Sequence, residues 1–317
     1  MLALDIGGTK LAAALVDPTG AFLTQRQVPT PRSGDPEAVF GALVELALRT
    51  RGEQRIGGVG VGSAGPLDVL AGTVSPLNIP AWRAFALVGR LAERLAAGLE
   101  GPVRLAGDGQ CFALGEHWLG GHGDRALLAM IVSTGVGGGL VLDGTVLRGA
   151  TGNAGHVGHM VVEAGGEVCV CGGTGCVEMY ASGPNLVRWA RSQGWRPGEP
   201  GADAARLAAD AAALDPVALA AFDRAARAIA AVIVSTAALT DRLTVVIGGG
   251  VSQAGEILLG PLRLWLGRLA GLDFLRDLPV HTSRLGLRAS LGGSAALVLE
   301  PRVVAGRTVV GQRAAGR

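Results

Sequence analysis

The sequence predicts an α/β protein divided into two domains, and three observations lead there. The chain has 317 residues, more than a single hydrophobic core usually absorbs. Short apolar runs of strand length alternate with longer runs of helical period, the pattern of an α/β domain. A strand, a glycine turn and a second strand also follow one another twice, at residues 2–16 and again at 126–142, one copy in each half.

In chain order, residues 2–6 form a short apolar strand, Gly7-Gly8-Thr9-Lys10 turns the backbone, and residues 11–16 form a second strand. Residues 35–49 read as a helix, with Pro36 near its start and Val39, Phe40, Leu43, Val44, Leu46 and Ala47 as its apolar positions. A buried strand at 56–61 runs into Gly62-Ser-Ala-Gly65-Pro66; a loop carries Asn78 and Trp82; residues 87–99 make another amphipathic helix. A strand at 103–106 is followed by Gly107-Asp108-Gly109, which opens a helix through Cys111 to residue 119.

The second half starts with a strand at 126–133, a glycine-rich turn at 134–139 and a strand at 140–142. Residues 180–191 read as a helix, and 204–240 as alanine-rich helix broken at Asp215-Pro216. A strand at 243–247 enters a third glycine turn, Gly248-Gly249-Gly250. Helix around 257–269, a short strand near Val280 and a closing helix at 291–299 complete the pattern. The expected division is a smaller domain at 1–106, to which the closing helix returns, and a larger one at 107–290. The tail at 300–317 has no pattern and is expected to be loosely attached.

Composition narrows the function. A net charge of +2, with arginines scattered along the chain, gives no electrostatic footprint for nucleic acid. The longest uncharged run, residues 126–142, is too short and glycine-rich to span a membrane. No basic segment precedes an apolar one at the start, so no signal peptide and a cytoplasmic location are expected. The cysteines then read as metal ligands before disulfides. Lys10 is the single lysine among 28 basic residues, and a point charge on a flexible stem suits a phosphate loop.

A glycine turn between strands lets backbone N–H groups cradle phosphate, although a plain hairpin turn explains either copy alone. Asp5, at a strand end, is placed to face a metal-bound phosphate. Asp108 has two local readings, a general base facing a cleft and the N-cap of its helix. The densest chemistry lies at residues 153–178, where His156, His159, Cys169, Cys171, Cys176 and Glu178 fall together. Three thiolates and one imidazole complete a tetrahedral zinc shell, and a closed shell is structural. Cys111, outside the cluster, reads as a buried apolar residue.

Together these motifs resemble the ROK family of bacterial sugar kinases and sugar-responsive repressors, over roughly residues 1–299. Asp5-Ile-Gly-Gly-Thr-Lys10 resembles the family's first phosphate motif, Ser133-Thr-Gly-Val-Gly-Gly-Gly139 the second, and Ile247-Gly-Gly-Gly250 the segment under the adenosine. Residues 155–159 with the spaced cysteines resemble its zinc signature. The resemblance implies an actin-like ATPase (ribonuclease H-like) fold, two α/β domains flanking a cleft, and transfer of the γ-phosphoryl group of ATP to a sugar hydroxyl, most often at C6. It implies Asp108 as the base, and Asp5 near Mg²⁺. It assigns the nucleotide to Gly7, Gly8, Thr9, Lys10, Thr134, Gly135, Gly137, Gly248, Gly249 and Gly250. It assigns the sugar to Gly65, Asn78, Asp108, His156, His159 and Glu178, and Zn²⁺ to His159, Cys169, Cys171 and Cys176. Homodimers are common in the family.

Two departures bear on the sugar. The family usually has Asn-Asp where this chain has Gly107-Asp108, which removes one sugar hydrogen bond. Glucose-specific members usually carry Glu where this chain has His156, and Ala-Gly-His156-Val-Gly-His159 is similar to members acting on N-acetylmannosamine. A neutral His offers one donor and one acceptor where Glu only accepts, which suits an amide near C2. Glucose or another hexose is the alternative substrate. A sugar-sensing regulator without kinase activity is the alternative of another class; such regulators carry a helix-turn-helix module ahead of the phosphate motif, and none is expected here.

Overall fold

The computed structural model describes residues 1–122, 126–199 and 201–299. The expected tail at 300–317 lies outside them. The chain opens with β1 (Leu2–Ile6), β2 (Lys10–Val16), β3 (Phe22–Pro29), α1 (Pro36–Arg51), β4 (Val59–Ser63), the short hairpin β5 (Leu67–Asp68) and β6 (Thr73–Val74), α2 (Leu87–Leu95) and β7 (Val103–Gly107). These strands form a sheet in the order β3-β2-β1-β4-β7, with β5 and β6 paired separately.

After α3 (Asp108–Leu119) come β8 (Ala126–Val132), β9 (Val136–Leu142), β10 (Thr145–Val146), α4 (Glu178–Ala181), α5 (Gly183–Ser192), α6 (Ala204–Ala212), α7 (Pro216–Thr240), β11 (Thr244–Gly248), α8 (Glu256–Leu269), β12 (Val280–Thr282) and α9 (Leu287–Ala296). The second sheet runs β10-β9-β8-β11-β12. It repeats the first sheet strand for strand: an antiparallel three-strand meander, then two parallel strands.

Alternation along β1 sorts the first sheet's two faces. Leu2, Leu4 and Ile6 point into a core with Val39, Phe40 and Leu43 of α1 and Leu87 and Leu91 of α2. Ala3, with Ala12 and Ala14 of β2, meets Leu291 and Ala295 of α9 on the other face. These small residues let α9 lie close; a Cβ on Gly60 would stand 1.7 Å from the Ser294 carbonyl oxygen. The second sheet buries Leu128, Met130 and Ile247 with Phe222, Ile229 and Ile233 of α7, and packs Leu127, Ala129 and Val246 against Phe112 of α3. Helices α3 and α9 therefore form the layer between the sheets, crossing where a Cβ on Gly293 would fall 1.7 Å from the Cys111 carbonyl oxygen.

Several boundaries differ from the sequence expectation, most for a visible reason. β9 starts at Val136, so Gly137, Gly138 and Gly139 lie in the strand and not in the turn. Two of them are tightly hemmed in: a Cβ on Gly139 would meet the Gly109 oxygen of α3 at 2.7 Å, and one on Gly138 would meet the Ala129 oxygen of β8 at 2.4 Å, whereas a Cβ on Gly137 would face open space. The helix expected at 180–191 is two, broken at Ser182, whose extended backbone (ψ 147°) frees Gly183 N to donate to Ser133 O at 2.7 Å. β3 escaped the sequence reading because it is an edge strand with mostly exposed polar side chains. α2 stops at Leu95, short of residue 99, and α9 starts at Leu287, ahead of residue 291.

Candidate active site

Two carboxylates meet where the strands end. Asp5 leaves β1 on the face covered by α9, as alternation from Ala3 requires. Asp108 is the first residue of α3, and Gly107 takes the N-cap position, so the capping alternative for Asp108 falls away. Its Oδ1 accepts from Gly109 N at 2.7 Å. Burial first, and then the charge of Asp108, push the Asp5 carboxyl up to about 7, against the pull of Lys10. Burial also raises Asp108, opposed by the Gly109 N–H and by His156. Two carboxylates within electrostatic reach, each short of water, are poised for a cation and a proton.

The glycine turns frame this pair. In the first, Gly7 N donates to Lys10 O at 3.0 Å, and Thr30, just past β3, fastens the turn, its Oγ1 donating to Gly7 O at 2.6 Å and its N to Thr9 O at 3.1 Å. Thr9 and Lys10 stay exposed. In the second, Ser133 N donates to Gly135 O at 2.9 Å and Thr134 is exposed. The third turn stands beside the second: Gly249, at φ +92°, would bring a Cβ to 2.4 Å from Val132 O, and Gly250 lies next to Ser133. Ser252 Oγ braces it by donating to Gly249 O at 2.7 Å.

Residues assigned to the sugar line the same junction. A Cβ on Gly65 would lie 3.0 Å from His156 Cε1, and one on Gly8 would lie 2.7 Å from Asn78 Cβ, so each glycine leaves room for its partner. Burial lowers the His156 imidazole, the neighbouring His159 lowers it further and Asp108 opposes both, which leaves the ring neutral near pH 7. Glu178 reaches back to the second glycine turn, its Oε2 accepting from Val136 N at 2.9 Å.

The His/Cys cluster assembles as its spacing suggested. His159 ends a 3-10 turn (Val157–His159) seated on β9, where a Cβ on Gly158 would be 1.8 Å from Val136 O. The cysteine loop folds back on itself, Val162 N donating to Gly175 O at 2.9 Å and Cys169 N to Gly173 O at 2.8 Å. One donor atom each from His159, Cys169, Cys171 and Cys176 lies within 4.8 Å of all the others. His159 Nδ1 is 3.8 Å from Cys169 Sγ, and Cys171 Sγ is 3.7 Å from Cys176 Sγ. A zinc–sulfur bond of about 2.3 Å implies a tetrahedral edge near ~3.8 Å, which those two distances match, so the set fits that ion in donor type and spacing. Cys111 is fully buried at the α3–α9 crossing, where burial pushes its thiol up to about 12; it is inert packing.

The sequence reading gave no role to three polar residues here: Thr30, Gln110 and Asn153. Gln110 had a detectable signal, since a long amide between Asp108 and the apolar run of Cys111 and Phe112 has to find partners inside the protein.

A duplicated sheet with a glycine turn in each half and a half-buried carboxylate pair at the junction is the layout of an actin-like ATPase. The chain matches the ROK family over residues 1–301. It is 33% identical over 315 residues to a glucokinase of Streptomyces coelicolor, covering 95% of this chain and 98% of that one. Over 256 residues it is 39% identical to an N-acetylmannosamine kinase of Salmonella typhi, covering 80% and 84%. A solved ROK-family glucokinase from Streptomyces griseus, in complex with glucose and AMPPNP, superimposes with a TM-score of 0.78 at 33% identity, over 94% of this chain and 98% of that chain. This chain belongs to the ROK family.

Proposed function

We propose that this ATP-dependent sugar kinase transfers the γ-phosphoryl group of ATP to the 6-hydroxyl of N-acetylmannosamine. The observation that carries the choice of sugar is His156, standing against Gly65 and within electrostatic reach of Asp108. A neutral imidazole there offers a donor to an amide carbonyl, which a carboxylate cannot do. In the proposed reaction Asp108 takes the hydroxyl proton, the freed oxygen bonds to the γ-phosphorus, and the bond to the ADP oxygen breaks. Gly7, Gly8, Thr9, Lys10, Thr134, Gly135 and Gly137 cradle the phosphates, and Gly248, Gly249 and Gly250 lie under the adenosine. Asp5 would hold Mg²⁺, which neutralises charge on the phosphates when bound.

Asn78, His156, His159 and Glu178 orient the sugar, with Gly65 giving the His156 ring its space. His159, Cys169, Cys171 and Cys176 would hold a structural Zn²⁺ that fixes the loop behind His156. We place the enzyme in the cytoplasm as a homodimer, with no nucleic-acid partner; among the described residues no helix is long and apolar enough to cross a membrane. A second reading, glucokinase, draws on the identity to the Streptomyces coelicolor enzyme along 95% of this chain.

A coupled assay of purified protein with ATP, Mg²⁺ and a panel of hexoses and N-acetylhexosamines tests the proposal. The highest kcat/KM is expected on N-acetylmannosamine. A preference for glucose would overturn the choice of sugar, and turnover of no sugar in the panel would overturn the reaction.

A further inference from the structure

We infer that Gln110 is a positioning residue that sets the segment carrying His156 against the base Asp108, an inference that rests on the proposed function of that site. Gln110 sits in the first turn of α3, two residues beyond Asp108, and only 3% of it is exposed. Its amide is fully engaged. Oε1 accepts from Gly107 N at 3.0 Å, immediately before Asp108. Nε2 donates to Ala154 O at 2.7 Å and Gly152 O at 3.1 Å, with Leu147 O a longer contact at 3.4 Å. One side chain thus joins the backbone entering Asp108 to the backbone entering His156.

The geometry gives that link a direction. Ala154 lies two residues before His156, so the position of the imidazole follows the position of the Ala154 carbonyl. The far side of the same segment is held by Asn153, whose Nδ2 donates to Leu67 O at 2.8 Å and whose Oδ1 accepts from Leu67 N at 3.0 Å. Leu67 is two residues from Gly65, which backs the His156 ring. Among the described residues, no side-chain hydrogen bond of Gln110 or Asn153 goes to the turns at 7–10 or 134–137. Gln110 therefore acts on the sugar side and leaves the phosphate side alone.

An apolar side chain of similar length would fill the space but leave Gly107 N, Ala154 O and Gly152 O without their buried partner. Such groups pull toward water or new partners. The segment would shift and carry the His156 imidazole out of register with the bound sugar, a loss felt in sugar binding.

Gln110→Met is the test, read by separate KM values for N-acetylmannosamine and ATP and by calorimetric sugar binding without nucleotide. The sugar KM is expected to rise about tenfold or more while the ATP KM stays within about twofold, because only sugar-side binding is lost. Equal changes in both, or none in the sugar KM, would overturn the inference. Should Gln110→Met fail to fold, Gln110→Asn is measured in its place, one methylene shorter and unable to reach both sides, with the same split expected. A wild-type protein that turns over no sugar in the panel overturns the functional reading and this inference with it. An active wild type whose variants keep its sugar KM overturns this inference alone.

Discussion

At the scale of single residues, the raised Asp5 carboxyl makes folding and function pull in opposite directions. With its ordinary value at 3.8 and its folded value at about 7, the folded chain keeps a proton there that the unfolded chain has released. The sign is then fixed: stability of the ligand-free protein falls as pH rises from about 4 to about 7 and levels off above, by at most about 1.4 kcal/mol per pH unit for one proton. Asp108, raised in the same direction, adds to the slope. Thermal midpoints across this range should show a shallower fall for Asp5→Asn than for wild type, with the variant the more stable at pH 8. An identical slope in both would refute the burial argument. Gly107 yields a second prediction. Its backbone is ordinary (φ −64°, ψ 145°), and a Cβ there would lie no closer than 3.6 Å to Gln110. Gly107→Asn should fold within about 0.5 kcal/mol of wild type and raise kcat/KM for glucose relative to N-acetylmannosamine. An unchanged ratio would show that Gly107 does not bear on the choice of sugar.

At the scale of elements, the His/Cys loop was the most legible part of the site and the glycine strand the least. Spacing pointed to Cys169, Cys171 and Cys176 with one of the two nearby imidazoles, because thiol and imidazole donors this close in sequence have few other uses in a chain expected to stay reduced; the family resemblance singled out His159. Nothing in Gly137, Gly138 and Gly139 distinguishes a turn from a strand pressed by a helix. At Gly139 that distinction depends on Gly109 of α3, and at Gly138 on Ala129 of β8, neither of which the run itself reveals. β3 was missed for a related reason: an edge strand with a polar exposed face has no apolar alternation to read. The loop itself gives a prediction. Cys171 is exposed, whereas Cys169 and Cys176 are buried, so Cys171→Ser removes a proposed ligand without opening the core. Elemental analysis should find about one zinc per chain in wild type, following the single closed ligand set, and much less in Cys171→Ser. The sugar KM should rise, because His159 and His156 share one turn. Full metal content in the variant would sink the ligand assignment.

At the scale of the whole molecule, the duplicated sheets were half-visible in the sequence. The repeated strand–turn–strand layout announced two similar halves, while the layer that joins them, α3 crossed by α9, did not show. Its signal is a set of scattered glycines and alanines whose meaning appears only when Gly293 meets Cys111 and Gly60 meets Ser294. Gly293→Val places side-chain atoms where backbone already stands, and it should cost about 3 kcal/mol or more, read as a fall in denaturant midpoint. Wild-type stability would show that the crossing is looser than described. The same layer delivers Asp108 to the junction of the halves, beside Asp5 from the first sheet and His156 from the segment after the second sheet's meander. The account therefore meets its most direct test at Asp108. Steady-state kinetics of Asp108→Asn with N-acetylmannosamine and ATP should show kcat reduced by at least about a hundredfold, the size expected of a general base, with both KM values close to wild type. Activity that survives the substitution unchanged would contradict the mechanism proposed for this site.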